Sequence, residues 1–147
     1  MTQPISFFVP GIPKAQPRPR AFARKILGKW TARVYEAGSA EEWKSAIALA
    51  ARAHLPKPLA GAEITITFWM PRPKSHFGKN GLKQNARSWP TTKPDLDNLV
   101  KAVIDTLTKL GFWRDDSCVC AVHAIKLYAT PLQAGASISI DGKINPA

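Results

Sequence analysis

The chain has 147 residues, 45% of them apolar, with five Trp and six Phe, which suits one domain over residues 1–147 with a sizeable core and excludes a disordered chain. Its formal net charge of +11 at pH 7 works against compaction unless a polyanion makes use of it, so nucleic acid is the first partner to consider. No run of about 18 apolar residues exists and Met1-Thr2-Gln3-Pro4-Ile5 lacks a basic-then-apolar order, so neither membrane spanning nor secretion is expected and the cytoplasm is the expected location.

In chain order, Ile5-Ser6-Phe7-Phe8-Val9 reads as a first strand, ended by Pro10-Gly11-Ile12-Pro13. The stretch from Lys14 to Lys25 follows, with five basic side chains and with Pro17 and Pro19 continuing from Pro13. It is expected to be an extended, positively charged loop suited to a phosphate backbone, with Lys14, Arg18, Arg20 and Arg24 as DNA contacts. Ser39 is placed to cap a helix over about 40–54, with Glu41 and Glu42 in its positive first turn and Trp43, Ile47, Ala50 and Ala51 facing the core. Pro56 and Pro58 stop that helix. The period-two alternation of Ala62 to Met70 then predicts a half-buried strand.

From Pro71 to Lys93 the chain carries six Lys or Arg and no acid, with four prolines or glycines in its first eleven residues. This reads as a long DNA-contacting loop, with Arg72, Lys74 and Lys93 for phosphates and Phe77 and Trp89 available to stack on bases. The charge is segregated: residues 1–93 hold sixteen Lys and Arg against four Glu, while residues 94–147 hold five against six acids.

The acids concentrate too. Five of the ten carboxylates lie between Thr92 and Asp116. A helix is expected to begin at Asp95 or Asp97, with a core stripe of Leu96, Leu99, Val100, Val103, Leu107 and Leu110. Asp97, Lys101 and Asp105 recur every four residues on the opposite face. Helix caps alone would account for the first two aspartates. Gly111 is placed as a C-cap, after which the chain turns at Asp115-Asp116 into a strand over Cys118 to Tyr128. That return would bring Asp115 or Asp116 to the helix start, where three carboxylates and water make a hard-cation site for cutting phosphodiesters. Cys118 and Cys120 are too close in sequence for an easy disulfide and are expected to be small buried side chains. His54, His76 and His123 are too scattered for structural zinc.

Lys93-Pro94-Asp95-Leu96-Asp97-Asn98-Leu99 with Lys101, Asp105 and Leu107, then Gly111-Phe112-Trp113-Arg114-Asp115-Asp116, resembles the central motif of the RusA family of Holliday-junction resolvases. The resemblance covers residues 92–128, and Val9-Pro10-Gly11-Ile12-Pro13 through Arg18-Pro19-Arg20 resembles the family's N-terminal proline and basic segment. The long basic stretch from Pro71 to Lys93 exceeds that of the shortest members. The resemblance implies divalent metal on Asp95, Asp97 and Asp116, with Lys101 needed for catalysis. It favours Asp116 over Asp115.

The expectation is therefore a Mg²⁺-dependent endodeoxyribonuclease, with Mn²⁺ as a substitute, that resolves four-way junctions by paired symmetric nicks in recombination and repair. By resemblance it acts as a homodimer, often of phage or prophage origin, and needs no small-molecule cofactor. The rival readings are a non-catalytic basic DNA-binding protein and a less selective nuclease for branched or single-stranded DNA. The expected fold is α/β, a mixed sheet of about four or five strands with two main helices on one face.

Overall fold

Burial alternates from Ala62 to Met70 within the strand Gly61–Met70, with Ile64, Ile66 and Phe68 at 0% exposure and Thr65 in solvent, so this strand must have one covered and one open face. It is the centre of the fold. The computed structural model describes residues 3–16, 19–26, 29–36, 40–129 and 133–143. In chain order the elements are β1 (Ile5–Pro10), β2 (Pro19–Ile26), β3 (Lys29–Glu36), α1 (Glu41–Arg52), β4 (Gly61–Met70), β5 (Phe77–Gly78), β6 (Gly81–Leu82), α2 (Leu96–Leu110), β7 (Val119–Tyr128) and β8 (Gly135–Lys143).

The main sheet has the order β1-β8-β4-β7. β8 lies antiparallel to both β1 and β4, while β4 and β7 run parallel, from Ala62 opposite Val119 to Met70 opposite Tyr128. A parallel pair needs a crossover, and here the crossover is the whole segment from Pro71 through α2. The expected mixed α/β sheet with two main helices is what the chain forms.

Both helices join one core. Trp43, Ile47 and Ala51 of α1, and Leu99, Ala102, Val103 and Leu107 of α2, cluster with Ile64, Ile66, Phe68, Ile138 and Ile140 of the sheet. The stripe predicted for α2 is the one buried: Leu99, Val103 and Leu107 lie inside and Leu96, Val100 and Leu110 pack at its margin. The intervening residues of the strands make the other face, where the Trp69 Nε1 donates to Ser137 Oγ at 3.1 Å.

Gly111 ends α2 at φ 98°, the left-handed C-cap expected of it, with its amide returned to Leu107 and Thr108 carbonyls. Phe112 and Trp113 then plunge into the core, Trp113 Nε1 donating to Thr108 Oγ1 at 2.6 Å. Gly135, at φ 156°, leaves no room for a Cβ against the Val9 carbonyl where β8 meets β1.

Several expectations change. Pro19–Ile26 is not loop but one arm of a hairpin with β3, in register from Pro19 opposite Glu36 to Ile26 opposite Lys29, because proline at the start of a strand removes no needed donor. Within Pro71–Lys93 the chain forms a single 3-10 turn at Lys74–His76 and the minimal β5–β6 hairpin. The cap of α1 is Ala40, without a side-chain hydrogen bond, and Ser39 lies outside the described residues. Cys120 is exposed and Cys118 only half-buried, both with free thiols, because Cys118 lies in the 3-10 turn before β7 and Cys120 on β7, an edge strand. No helix among the described residues is long and apolar enough to cross a membrane.

Candidate active site

The start of α2 is where the acidic residues gather. Asp95 is the N-cap, in extended conformation, and its carbonyl accepts from the Leu99 amide at 3.1 Å. Its carboxylate is held by Lys93, whose Nζ stands 2.9 Å from each oxygen. Asp97 lies one residue into the first turn, at the positive end of the helix dipole, and its Oδ1 accepts from the Asn98 amide at 2.9 Å.

One and two turns on, Lys101 and Asp105 continue the Asp97 face. Asp97, Lys101, Asp105 and Asp116 line one cleft of about 280 Å³, whose apolar walls are Val100 and Ile104 from α2 and Val119 and Val122 from β7. The chain returns to that cleft because Gly111 stops the helix and the buried Trp113 anchors the turn, leaving Asp116 to begin a 3-10 turn over Asp116–Cys118.

The neighbouring aspartates differ in their partners. Asp115 caps that short turn, accepting from the Ser117 hydroxyl at 2.5 Å and from its amide at 3.3 Å. The hydroxyl contact, then the amide, hold the Asp115 carboxyl below the usual carboxylate range. Asp116 faces the cleft with Asp97. Asp95 is outside the residues lining it and sits at its helix-start end beside Lys93.

Among the described residues no three His, Cys, Asp or Glu side chains gather closely enough to hold an ion by themselves. A cation of the Mg²⁺ kind needs fewer, because it keeps several waters and binds through one or two carboxylates plus substrate phosphate. Two exposed aspartates on one cleft therefore fit such an ion, whereas the histidine and cysteine ligands that zinc favours are not among the residues lining it.

The predicted basic residues divide. Lys14 and Lys74 are exposed, and Arg20 and Arg24 fall on β2, while Arg18 lies outside the described residues. Arg72 is turned inward: its guanidinium stands 4.3 Å over the Tyr128 ring, donates to the Arg87 carbonyl at 2.9 Å and meets His76 Nδ1 at 3.1 Å. Partial burial, then the charges of Arg72, Arg87 and Lys83, push the pKa of His76 below 6.5.

Sequence reasoning missed Lys126. From β7 its ammonium donates to the Thr92 carbonyl at 2.9 Å and the Pro94 carbonyl at 2.7 Å, clamping the segment that leads into Asp95. No local pattern marks it, since its partner Pro94 is 32 residues away in the chain.

A cleft that gathers carboxylates and a lysine on a strongly basic α/β domain suits metal-assisted chemistry on a phosphodiester. The family model described as endodeoxyribonuclease RusA matches residues 10–141, and the chain belongs to this family of Holliday-junction-resolving endodeoxyribonucleases. Nucleases of the family depend in general on a divalent metal. Among relatives, an uncharacterized protein, YqaN, of Bacillus subtilis is 35% identical over 130 residues, which span 85% of this chain and 88% of that protein. The crossover junction endodeoxyribonuclease rusA of Lactococcus phage r1t is 38% identical over 69 residues, 38% of this chain and 53% of the phage protein. The crossover junction endodeoxyribonuclease RusA of Escherichia coli K12 is 53% identical over 36 residues, 24% of this chain and 30% of that protein. The match thus spans about half or less of the two relatives with named activities.

Proposed function

We propose that this chain resolves four-way DNA junctions by paired nicks, using Mg²⁺ held by Asp97 and Asp116 with Asp95 beside them. The observation that carries the reading is the single cleft shared by Asp97, Lys101, Asp105 and Asp116. A bound ion of this kind supplies Lewis-acid polarisation of the scissile phosphodiester and a more acidic water.

The protein groups have separate tasks. Asp97 and Asp116 supply anionic oxygens, and the helix N-terminus beside Asp97 tempers the repulsion between them. Lys101, in the same cleft, offsets the charge that develops on the phosphate oxygens as water attacks phosphorus. The P–O3′ bond breaks and the leaving oxygen takes up a proton, so the ends produced are 5′-phosphate and 3′-hydroxyl. Lys14, Lys74 and Lys93, with Arg18, Arg20 and Arg24, supply phosphate contacts that position the junction without reading sequence. Arg72 contributes through Tyr128 and Arg87, by holding the basic loop in shape.

A four-way junction needs two cuts and one chain offers one cleft. A two-fold homodimer supplies the second and matches the symmetry of the junction. The enzyme then acts on recombining DNA in the cytoplasm.

The test is incision of a labelled four-way junction beside a linear duplex, with Mg²⁺ or EDTA, for wild type and Asp97→Asn. Symmetric nicks confined to the junction, to Mg²⁺ and to wild type are expected. Asp97→Asn should lose more than about 100-fold in rate with junction binding retained, since even outer-shell changes at metal sites cost roughly 10–100-fold. Normal cleavage by Asp97→Asn would remove that residue from the metal site. Equal cutting of duplex and junction would replace junction selectivity with a general nuclease.

A further inference from the structure

Parallel strands β4 and β7 end together at Met70 and Tyr128, and a cavity of about 560 Å³ opens at their carboxyl ends. That position has a general significance, because ligands of α/β sheets bind outside the carboxyl ends of parallel strands and beside helix N-termini. The size is within the roughly 300–1,000 Å³ of small-molecule pockets. One wall is the segment Thr92-Lys93-Pro94 leading into α2, and another is the loop at Ile12 to Ala15.

The lining combines two chemistries. Ile12, Pro13, Met70 and Tyr128 offer apolar surface, while Lys14 and Lys93, both exposed, carry positive charge at its edge. Lys126 also lines it and gives two of its three N–H groups to the Thr92 and Pro94 carbonyls, keeping one for a ligand acceptor. Arg72 stands over the Tyr128 ring and His76 packs edge-on to it at 5.5 Å, so the ring is held in place as one apolar wall of the cavity. A free phosphate would leave the apolar walls without use, and an apolar peptide would leave the lysines uncompensated. A nucleotide uses both.

We infer that this cavity receives a single unstacked nucleotide of the DNA strand, its base among the apolar walls and its phosphates toward Lys14 and Lys93. The inference rests on the DNA-cleaving function proposed above and extends it to sequence preference. Lys93 links the cavity to the catalytic carboxylates, because the same side chain holds Asp95. The seated nucleotide is therefore a near neighbour of the phosphate to be cut. Its unstacking costs a few kcal/mol in a duplex and least where pairing is already disrupted, which is the situation at a branch point.

The experiment uses 2-aminopurine, which is dim when stacked and bright when unstacked, walked through the nucleotides flanking the cut in a four-way junction. Full-length protein is added in EDTA so that nothing is cleaved. One position should brighten several-fold on binding and become shielded from acrylamide. Ala15→Leu and Thr92→Leu fill the cavity from two of its walls with aliphatic carbon, and the second lies on an exposed residue that leaves the fold intact. Each should abolish the brightening, keep junction affinity within about twofold, and flatten the preference among cleavage sequences. Binding and cutting without brightening at any position would overturn the inference, as would brightening that survives both variants. Absence of junction binding by wild type would instead overturn the proposed function.

Discussion

Lys126→Met removes an ammonium and keeps most of the side chain's length and apolar stem. In the folded protein that ammonium donates to two main-chain carbonyls, Thr92 at 2.9 Å and Pro94 at 2.7 Å. Hydrogen bonds from charged donors contribute about 1.5–3 kcal/mol each where water is excluded. The Thr92 contact is exposed and the Pro94 contact part-buried, so the pair together is worth about 1–3 kcal/mol, most of it at Pro94. That corresponds to roughly a 5- to 150-fold change in the opening equilibrium of the segment that positions Asp95. Hydrogen exchange by mass spectrometry is the assay. Peptides covering 90–99 should exchange faster by that order while peptides of α1 are unchanged, and Lys126→Arg should restore much of the protection. Nicking should require more Mg²⁺, with the loss concentrated in the metal dependence. Unchanged exchange at 90–99 together with weakened, more salt-sensitive junction binding would refute the clamp and make Lys126 a phosphate contact.

Leu107 is fully buried between α2 and the sheet, so Leu107→Ala should destabilise the domain by about 2–5 kcal/mol in urea unfolding, with the activity of the remaining folded fraction intact. His76 titrates below 6.5 because of partial burial and then of Arg72, Arg87 and Lys83. With the folded value depressed, its contribution to stability is present above 6.5 and is lost as pH falls through the folded value; nitrogen-detected NMR should show the lowered midpoint, and Arg72→Met should raise it. An unshifted midpoint in Arg72→Met would remove the guanidinium as a cause.

The helices and the central strand were legible because each carries a periodicity that burial enforces. The stripe Leu99, Val103, Leu107 and the alternation Ile64, Ile66, Phe68 are the same residues that form the core. Gly111 was legible for a local reason, its left-handed φ of 98°. The β2–β3 hairpin was less legible, since prolines and basic residues in Lys14 to Lys25 imitate a loop, although Trp30, Thr31, Val34 and Tyr35 give the partner strand a β-forming composition. In the candidate site, the helical spacing of Asp97, Lys101 and Asp105 told which side chains share a face, and the return of the chain at Asp116 followed from the glycine stop. Neither periodicity nor composition distinguishes Asp115 from Asp116. That distinction comes from a serine two residues along, which engages one carboxylate and leaves the other facing the cleft. Lys126 and the cavity at the strand ends depend on contacts between distant segments, and no window of sequence contains them.

The adjacency of β4 and β7 has a consequence for how such proteins diversify. Lys126, two residues before the Tyr128 that pairs with Met70, holds the Pro94 carbonyl at 2.7 Å, so the stretch between Met70 and Pro94 leaves and returns at the same carboxyl-end edge of the sheet. Doubling the length of a flexible loop held that way costs only about 0.6 kcal/mol. The basic stretch before α2 can therefore lengthen, shorten or change sequence while the framework and the acidic helix stay in register. With the proposed function, the phosphate-binding stretch is an excursion separable from the acidic helix and the two strands, which makes it the natural unit to exchange between relatives when cleavage preference is to be altered.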